Sequence, residues 1–175
     1  MFVDPSGEFL GAVVGAVIGG IGGAIGGGIS AAVRGEDIRS GMVSGAIGGA
    51  IGGAVAGAIA DIFIAPGTSI VSAAVIGVAA GAVGGATSSM VSQSMNFYFN
   101  NNTLTGFSMS WREVAISSAT SALFAGVGSG FGQSQVIFYG GEKMIGVVVG
   151  SHFAIGNSVA DIANGKIVAI YEGRR

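Results

Sequence analysis

Few residues in this chain could carry out covalent chemistry. The single histidine, His152, stands beside Ser151, with Asp161 nine residues on; together these are the types of a nucleophile, a base and an orienting acid. Their spacing argues against that use. On a helix, adjacent residues point about 100° apart, so Ser151 and His152 do not face each other, and geometry assigns His152 to a helical face or an interface. Asp61 is the second candidate, an ionisable group at the end of an apolar run and therefore a functional hypothesis if that run lies in lipid. The nearby Pro66 favours a cap or interface role for it. The glycine runs are not phosphate loops, because no Lys and Ser or Thr follow the last glycine. There is no cluster of metal ligands, and with no cysteine there is no thiolate site or disulfide. The sequence therefore predicts no enzyme, no cofactor and no metal.

The chemistry this chain does carry is that of close helix approach. Glycine recurs every fourth residue at Gly11, Gly15, Gly19, Gly23 and Gly27, again at Gly41, Gly45, Gly49, Gly53 and Gly57, and in a shorter copy at Gly77, Gly81 and Gly85. On an α-helix that spacing makes one slowly winding stripe without side chains, where a second helix can approach backbone to backbone. These thirteen residues are the predicted helix-packing positions of a glycine zipper. Each interior glycine costs roughly 1 kcal/mol of helix stability relative to alanine in water. Five in one helix therefore call for lipid or a dry, tightly packed partner.

Composition points the same way. Charged residues make up 9% of the 175 residues, glycine contributes 35, and the mean hydropathy is +0.74. Typical soluble domains carry about 25% charged residues, so a soluble globule of this composition would expose large apolar patches. The net charge of -2 and the lack of a basic cluster interleaved with aromatics exclude nucleic acid as a partner. The start, Met1 to Glu8, carries Asp4 and Glu8 where a signal peptide would be basic, so it is not read as one.

Residues 1–8 read as a turn set by Pro5 and Gly7. Asp4-Pro5-x-Gly7, directly ahead of a glycine-rich hydrophobic region, resembles the boundary that closes the core of Rhs/YD-repeat proteins, large secreted or cell-surface shells with a C-terminal toxin. In this sequence Glu8 follows where such boundaries usually carry an apolar residue. The resemblance covers about the first half of the chain. It implies a polymorphic toxin, a membrane localisation reached after secretion or delivery within a larger protein, and an Rhs shell and an immunity protein as partners.

The predicted fold is mainly α, with helical hairpins in residues 9–95 and an α or α+β part in residues 96–175. Phe9 to Val33 holds 25 residues and Ser40 to Ala60 holds 21, each without a formal charge and each long enough to span a bilayer. Between them Gly35 can end one helix, and Asp37 or Ser40 can cap the next. Pro66-Gly67 is a helix stop, and residues 68–95 form a third helix. Asn96 to Asn102 fits either an interfacial aromatic belt or a surface loop. Ser110 is a helix N-cap with Glu113 at the third position, for a helix to about Ala125. The alternating Gly126, Gly128, Gly130 and Gly132 read as a loop or broken strand, Val136 to Tyr139 as a short strand, Met144 to Ala163 as a helix, and Lys166 to Tyr171 as a strand or tail.

Three functions follow as expectations. The first is a membrane-inserting module that uses the lipid bilayer and self-association through its glycine faces, as pore-former or translocation element. The second is a passive linker between a shell and a toxin, and the third an enzymatic toxin in residues 96–175.

Overall fold

The computed structural model describes residues 10–64, 67–139, 155–156, 159 and 162–163. Four helices follow one another: α1 (Leu10–Arg34), α2 (Ile38–Phe63), α3 (Ile70–Asn101) and α4 (Trp111–Tyr139). No strand occurs among the described residues, and the fold is mainly α. Each helix packs on its sequence neighbours, and no other pair of these helices makes backbone contact. Short turns reverse the chain each time. The result is a serpentine layer in which α1–α2 and α3–α4 turn at one end and α2–α3 at the other.

The turns have identifiable causes. Gly35 takes a left-handed φ of 72°, which lets its N–H reach Ala32 O at 3.2 Å and the Glu36 N–H reach Ala31 O at 2.9 Å, satisfying the last carbonyls of α1. Asp37 then caps α2, accepting from Arg39 N at 3.4 Å and Ser40 N at 3.0 Å. Ser69 caps α3 by accepting from Ser72 N at 3.1 Å. Ser110 Oγ lies 3.5 Å from Glu113 N at the start of α4.

Two expectations are corrected. Residues 96–101 are not a loop but the last turns of α3, closed by Asn102 at φ 54°, with Tyr98 and Phe99 exposed on them. Asparagine is a poor helix former because its amide competes for the backbone, yet here that competition works for the helix: Asn100 Nδ2 donates to Asn96 O at 2.8 Å and Asn101 Nδ2 to Phe97 O at 2.9 Å. The glycines after Ala125, and Val136 to Tyr139 beyond them, continue α4 as helix rather than forming a loop and a strand. Their alternation hides a period of four: Gly126 and Gly130 both lie against Ala74 of α3, with Val78 and Ile70 on either side, so packing overrides propensity. The expected turn at 140–143, the start of the helix expected over Met144 to Ala163 and the strand or tail at 166–171 fall outside the described residues, as does the turn at 1–8; of that helix, residues 155–156, 159 and 162–163 are described and are helical.

The interior is built from the smallest residues. Ala31, Ala56, Ala73, Ala80, Ala125 and Ser88, Ser117, Ser121 and Ser129 are almost fully buried, whereas most large aliphatic side chains point outward, Ile64 and Val114 being buried exceptions. On α1, Val13, Val17, Ile21, Ile25 and Ile29 form an exposed ridge, with Val17 58% and Ile21 60% exposed. The ridge is set two residues from the glycine ladder, about 200° around the helix. Small residues inside and large apolar ones outside reverse the usual soluble arrangement.

The packing generates a sharp contrast. Gly49→Ala improves intrinsic helix propensity by about 1 kcal/mol, but its Cβ would strike Gly19 O, and overpacking of this kind costs about 1–3 kcal/mol. Gly49→Ala and Gly19→Ala are therefore expected to lower the thermal unfolding midpoint in detergent. Val17→Ala, on the outer ridge, is expected to change stability by no more than about 0.5 kcal/mol.

Candidate functional site: helix seams and a polar cavity

Three seams hold the layer together. In the first, a Cβ added at Gly15, Gly19, Gly23 or Gly27 of α1 would meet the carbonyl oxygen of Gly53, Gly49, Gly45 or Gly41 of α2, and the reverse holds for each pair. Gly57 likewise faces Gly11 O. Every step of four along α1 is matched by a step of four back along α2. The two ladders that the sequence displays are thus brought face to face within one chain.

The second seam uses another stripe of α2. Gly48 lies against Ser88 and Ser92, and Gly52 against Gly84 and Ser88, while Ala56 packs on Ala80. Ala60 and Ile64 close this seam with Ala73. In the third seam Gly77, Gly81 and Gly85 of α3 meet Ser129, Ala125, Ser121 and Ser117 of α4. Hydroxyls join the helices as well: Ser92 Oγ donates to Ser44 O at 3.2 Å, and Ser118 Oγ to Ala82 O at 3.0 Å. Such bonds are worth about 0.6–2 kcal/mol each where water is scarce. The sequence reading missed the Ser117, Ser121, Ala125, Ser129 stripe. Its period was present, but in serine and alanine rather than glycine.

Asp61 occupies the end of the layer where α2 turns into α3. Its carboxylate accepts from Gly11 N at 2.8 Å and Ala12 N at 3.3 Å, capping the first turn of α1 from fifty residues away. A Cβ on Gly11 would collide with this carboxylate. The position is that of a cap, which suits the negative charge to the positive end of a helix.

The opposite end holds a polar cavity of about 60 Å³, to which all four helices contribute, among them Ser30 and Arg34 of α1, Ser44 of α2, Ser92, Gln93 and Asn96 of α3, and Glu113 of α4. The volume suits a few water molecules and the lining supplies their polar partners. Gln93 clamps the start of α4 in both directions: Ser110 N donates to its Oε1 at 2.7 Å, and its Nε2 donates to Ser110 O at 3.3 Å and Ser89 Oγ at 3.1 Å. Asn96 accepts from Ser40 Oγ at 2.7 Å and donates to Glu36 Oε2 at 3.4 Å. Arg34 pairs with Glu36 at 3.4 Å. Glu113 opens α4, outside the three most apolar helices. Burial pushes its carboxyl above the ordinary value, against the lowering influence of Arg34 and Arg112, with Glu36 adding to the rise.

Helices α1, α2 and α3 are each long and apolar enough to cross a membrane. No group of three or more metal-ligating side chains occurs among the described residues. Ser151, His152 and Asp161 lie outside the described residues, as do Asp4, Pro5 and Gly7. No family model, no curated protein and no solved structure matches the chain.

Two side-chain deletions test these end contacts. Asp61→Ala removes the cap of α1 and is expected to cost about 1 kcal/mol in chemical unfolding, with hydrogen exchange faster at Gly11 and Ala12 than elsewhere in α1. Gln93→Leu strands the Ser110 N–H, whereas the Ser110 carbonyl keeps its bond from Val114 N, and is expected to cost about 1–3 kcal/mol, with exchange at Ser110 accelerated.

Proposed function

We propose that the chain is a membrane-inserting helical module of an Rhs-type polymorphic toxin, acting in the bilayer as pore-former or translocation element. One observation carries the membrane part: interior positions are glycine, alanine and serine, while Val and Ile side chains cover the outside of three helices of membrane-spanning length. In water that exterior would be a large exposed apolar patch, whereas in lipid it is the favourable surface. The small-residue interior is what lipid demands of helix seams, since the hydrophobic effect cannot drive apolar helices together there. The toxin part rests on the Asp4-Pro5-x-Gly7 boundary ahead of the glycine-rich run.

A second reading, a passive hydrophobic segment between a shell and a toxin, draws on a different observation. The glycine ladders expected to serve self-association face partners within the same chain, so Gly11 to Gly27 and Gly41 to Gly57 have no free stripe to offer a second copy. A pore built from several copies must then associate through other surfaces, such as the outer ridges.

The full-length chain reconstituted with liposomes is expected to float with them and to be helical there, and its expression at a bacterial inner membrane is expected to depolarise it. Combining Gly19→Leu with Gly49→Leu is expected to abolish depolarisation, since both side chains enter the first seam. A cooperatively folded, lipid-indifferent monomer in buffer would end the membrane reading. An inserted chain with an unchanged voltage-dye signal would transfer support to the passive segment.

A further inference from the structure

The ionisable side chains are gathered at one end of the layer. Among the described residues every cationic one, namely Arg34, Arg39 and Arg112, and the acids Glu36, Asp37 and Glu113 lie in or beside the α1–α2 and α3–α4 turns. The opposite end carries Asp61, whose carboxylate takes the first amides of α1. The sequence shows the same asymmetry in alternation with the helices. No Lys or Arg stands in residues 1–9 or 62–69, whereas 34–39 holds Arg34 and Arg39 and 102–112 holds Arg112; the next cation, Lys143, comes only after α4. Exposed apolar groups mark the charged end as well. Tyr98 and Phe99 in the last turns of α3, Leu104 in the α3–α4 turn and Trp111 at the start of α4 are exposed, with Asn100, Asn101 and Asn102 among them. Amphipathic rings beside amides suit the headgroup level, where one side is apolar and the other wet. The α2–α3 turn is bordered instead by exposed Ile62, Phe63, Ile70 and Val71. With a single, hydrogen-bonded carboxylate, it is the cheaper end to pass through hydrocarbon.

We propose that the layer crosses a bacterial inner membrane in one orientation, with the α1–α2 and α3–α4 turns held at the cytoplasmic face by Arg34, Arg39 and Arg112 and the α2–α3 turn on the outer face. This rests on the membrane reading and adds a direction to it. Cations within about 15–20 residues of spanning helices set orientation, and acids count little, so Glu36, Asp37 and Glu113 do not cancel the arginines. Lys143 lies well beyond that range from α3. Two fields act in the same sense. The membrane potential, negative inside, and the anionic headgroups of the cytoplasmic leaflet both favour cations on that face. Because α1 begins beside Asp61, the chain ahead of it joins the layer on the outer face.

The chain has no cysteine, so a single introduced thiol reports its own end without background. Thr105→Cys places one in the exposed α3–α4 turn and Thr68→Cys one in the α2–α3 turn. The full-length chain is expressed at a bacterial inner membrane, and a membrane-impermeant maleimide is added to intact spheroplasts. Thr68→Cys is expected to be labelled there, and Thr105→Cys to stay unlabelled until the cells are lysed. Any other pattern in membrane-bound chain, whether reversed, labelled at both positions or at neither, would overturn the orientation and leave the membrane reading standing. A chain recovered in the soluble fraction would overturn both. The cause is tested by moving the cations: Arg39→Gln and Arg112→Gln are combined with Ile62→Lys and Thr68→Lys. In that background Thr105→Cys is expected to lose its protection in intact spheroplasts. Continued protection would show that the arginines do not hold the orientation and would overturn the proposal. Should the fourfold variant leave the membrane, Arg39→Gln with Arg112→Gln alone decides: partial labelling of Thr105→Cys from outside is expected, and full protection would overturn the proposal.

Discussion

Backbone meets backbone along the first seam, and the rest of the molecule depends on that contact. Where Gly19 and Gly49 face each other there is no room for even a Cβ, so the carbonyl oxygens of one helix lie against the other's backbone over five successive turns. Such proximity gains dispersion contacts and weak Cα–H···O interactions, each small and collectively substantial. It also fixes register, because a shift of two residues would drive Val or Ile into the groove. Once α1 and α2 are locked, the second small stripe of α2 presents itself to α3, and the same device repeats into α4 with serine replacing glycine.

The substitution of serine for glycine along the layer has a physical logic. The first seam is almost pure glycine and holds by shape. The later seams add hydroxyls, and those of Ser92 and Ser118 reach carbonyls of the neighbouring helix. Polar groups gather further at the end with the polar cavity, where Arg34, Glu36, Asn96 and Glu113 meet. The layer is consequently asymmetric, apolar and tightly zipped at its α1–α2 side, more polar and hydrogen-bonded at its α3–α4 side. Its two ends differ too, with the Asp61 cap at one and the polar cluster at the other.

Much of this was legible in the sequence, for a reason particular to its alphabet. A period-four ladder of glycine has few meanings, so the helices, the hairpin turn at Gly35 and the break between α2 and α3 could be read directly. The partner of each ladder could not: a stripe offers itself equally to the same chain or to another copy, and only the folded chain shows Gly11 to Gly27 turned onto Gly57 to Gly41. The extent of α3 and α4 was hidden because asparagine and closely spaced glycine signal breaks by propensity. Amide bonds to Asn96 O and Phe97 O, and the groove beside Ala74, reverse those signals through contacts that no local window contains. The polar cavity was invisible for the same reason, since Arg34, Gln93 and Glu113 come from distant parts of the chain.

The central claim, that the two long glycine ladders pair with each other inside one chain in lipid, is open to direct measurement by solid-state NMR. The chain carrying carbonyl and Cα carbon labels on glycine, diluted in unlabelled protein and reconstituted in liposomes, is predicted to show contacts between Gly15 and Gly53, Gly19 and Gly49, and Gly23 and Gly45 that persist on dilution. Contacts that vanish on dilution, or that pair the ladders in another register, would contradict it.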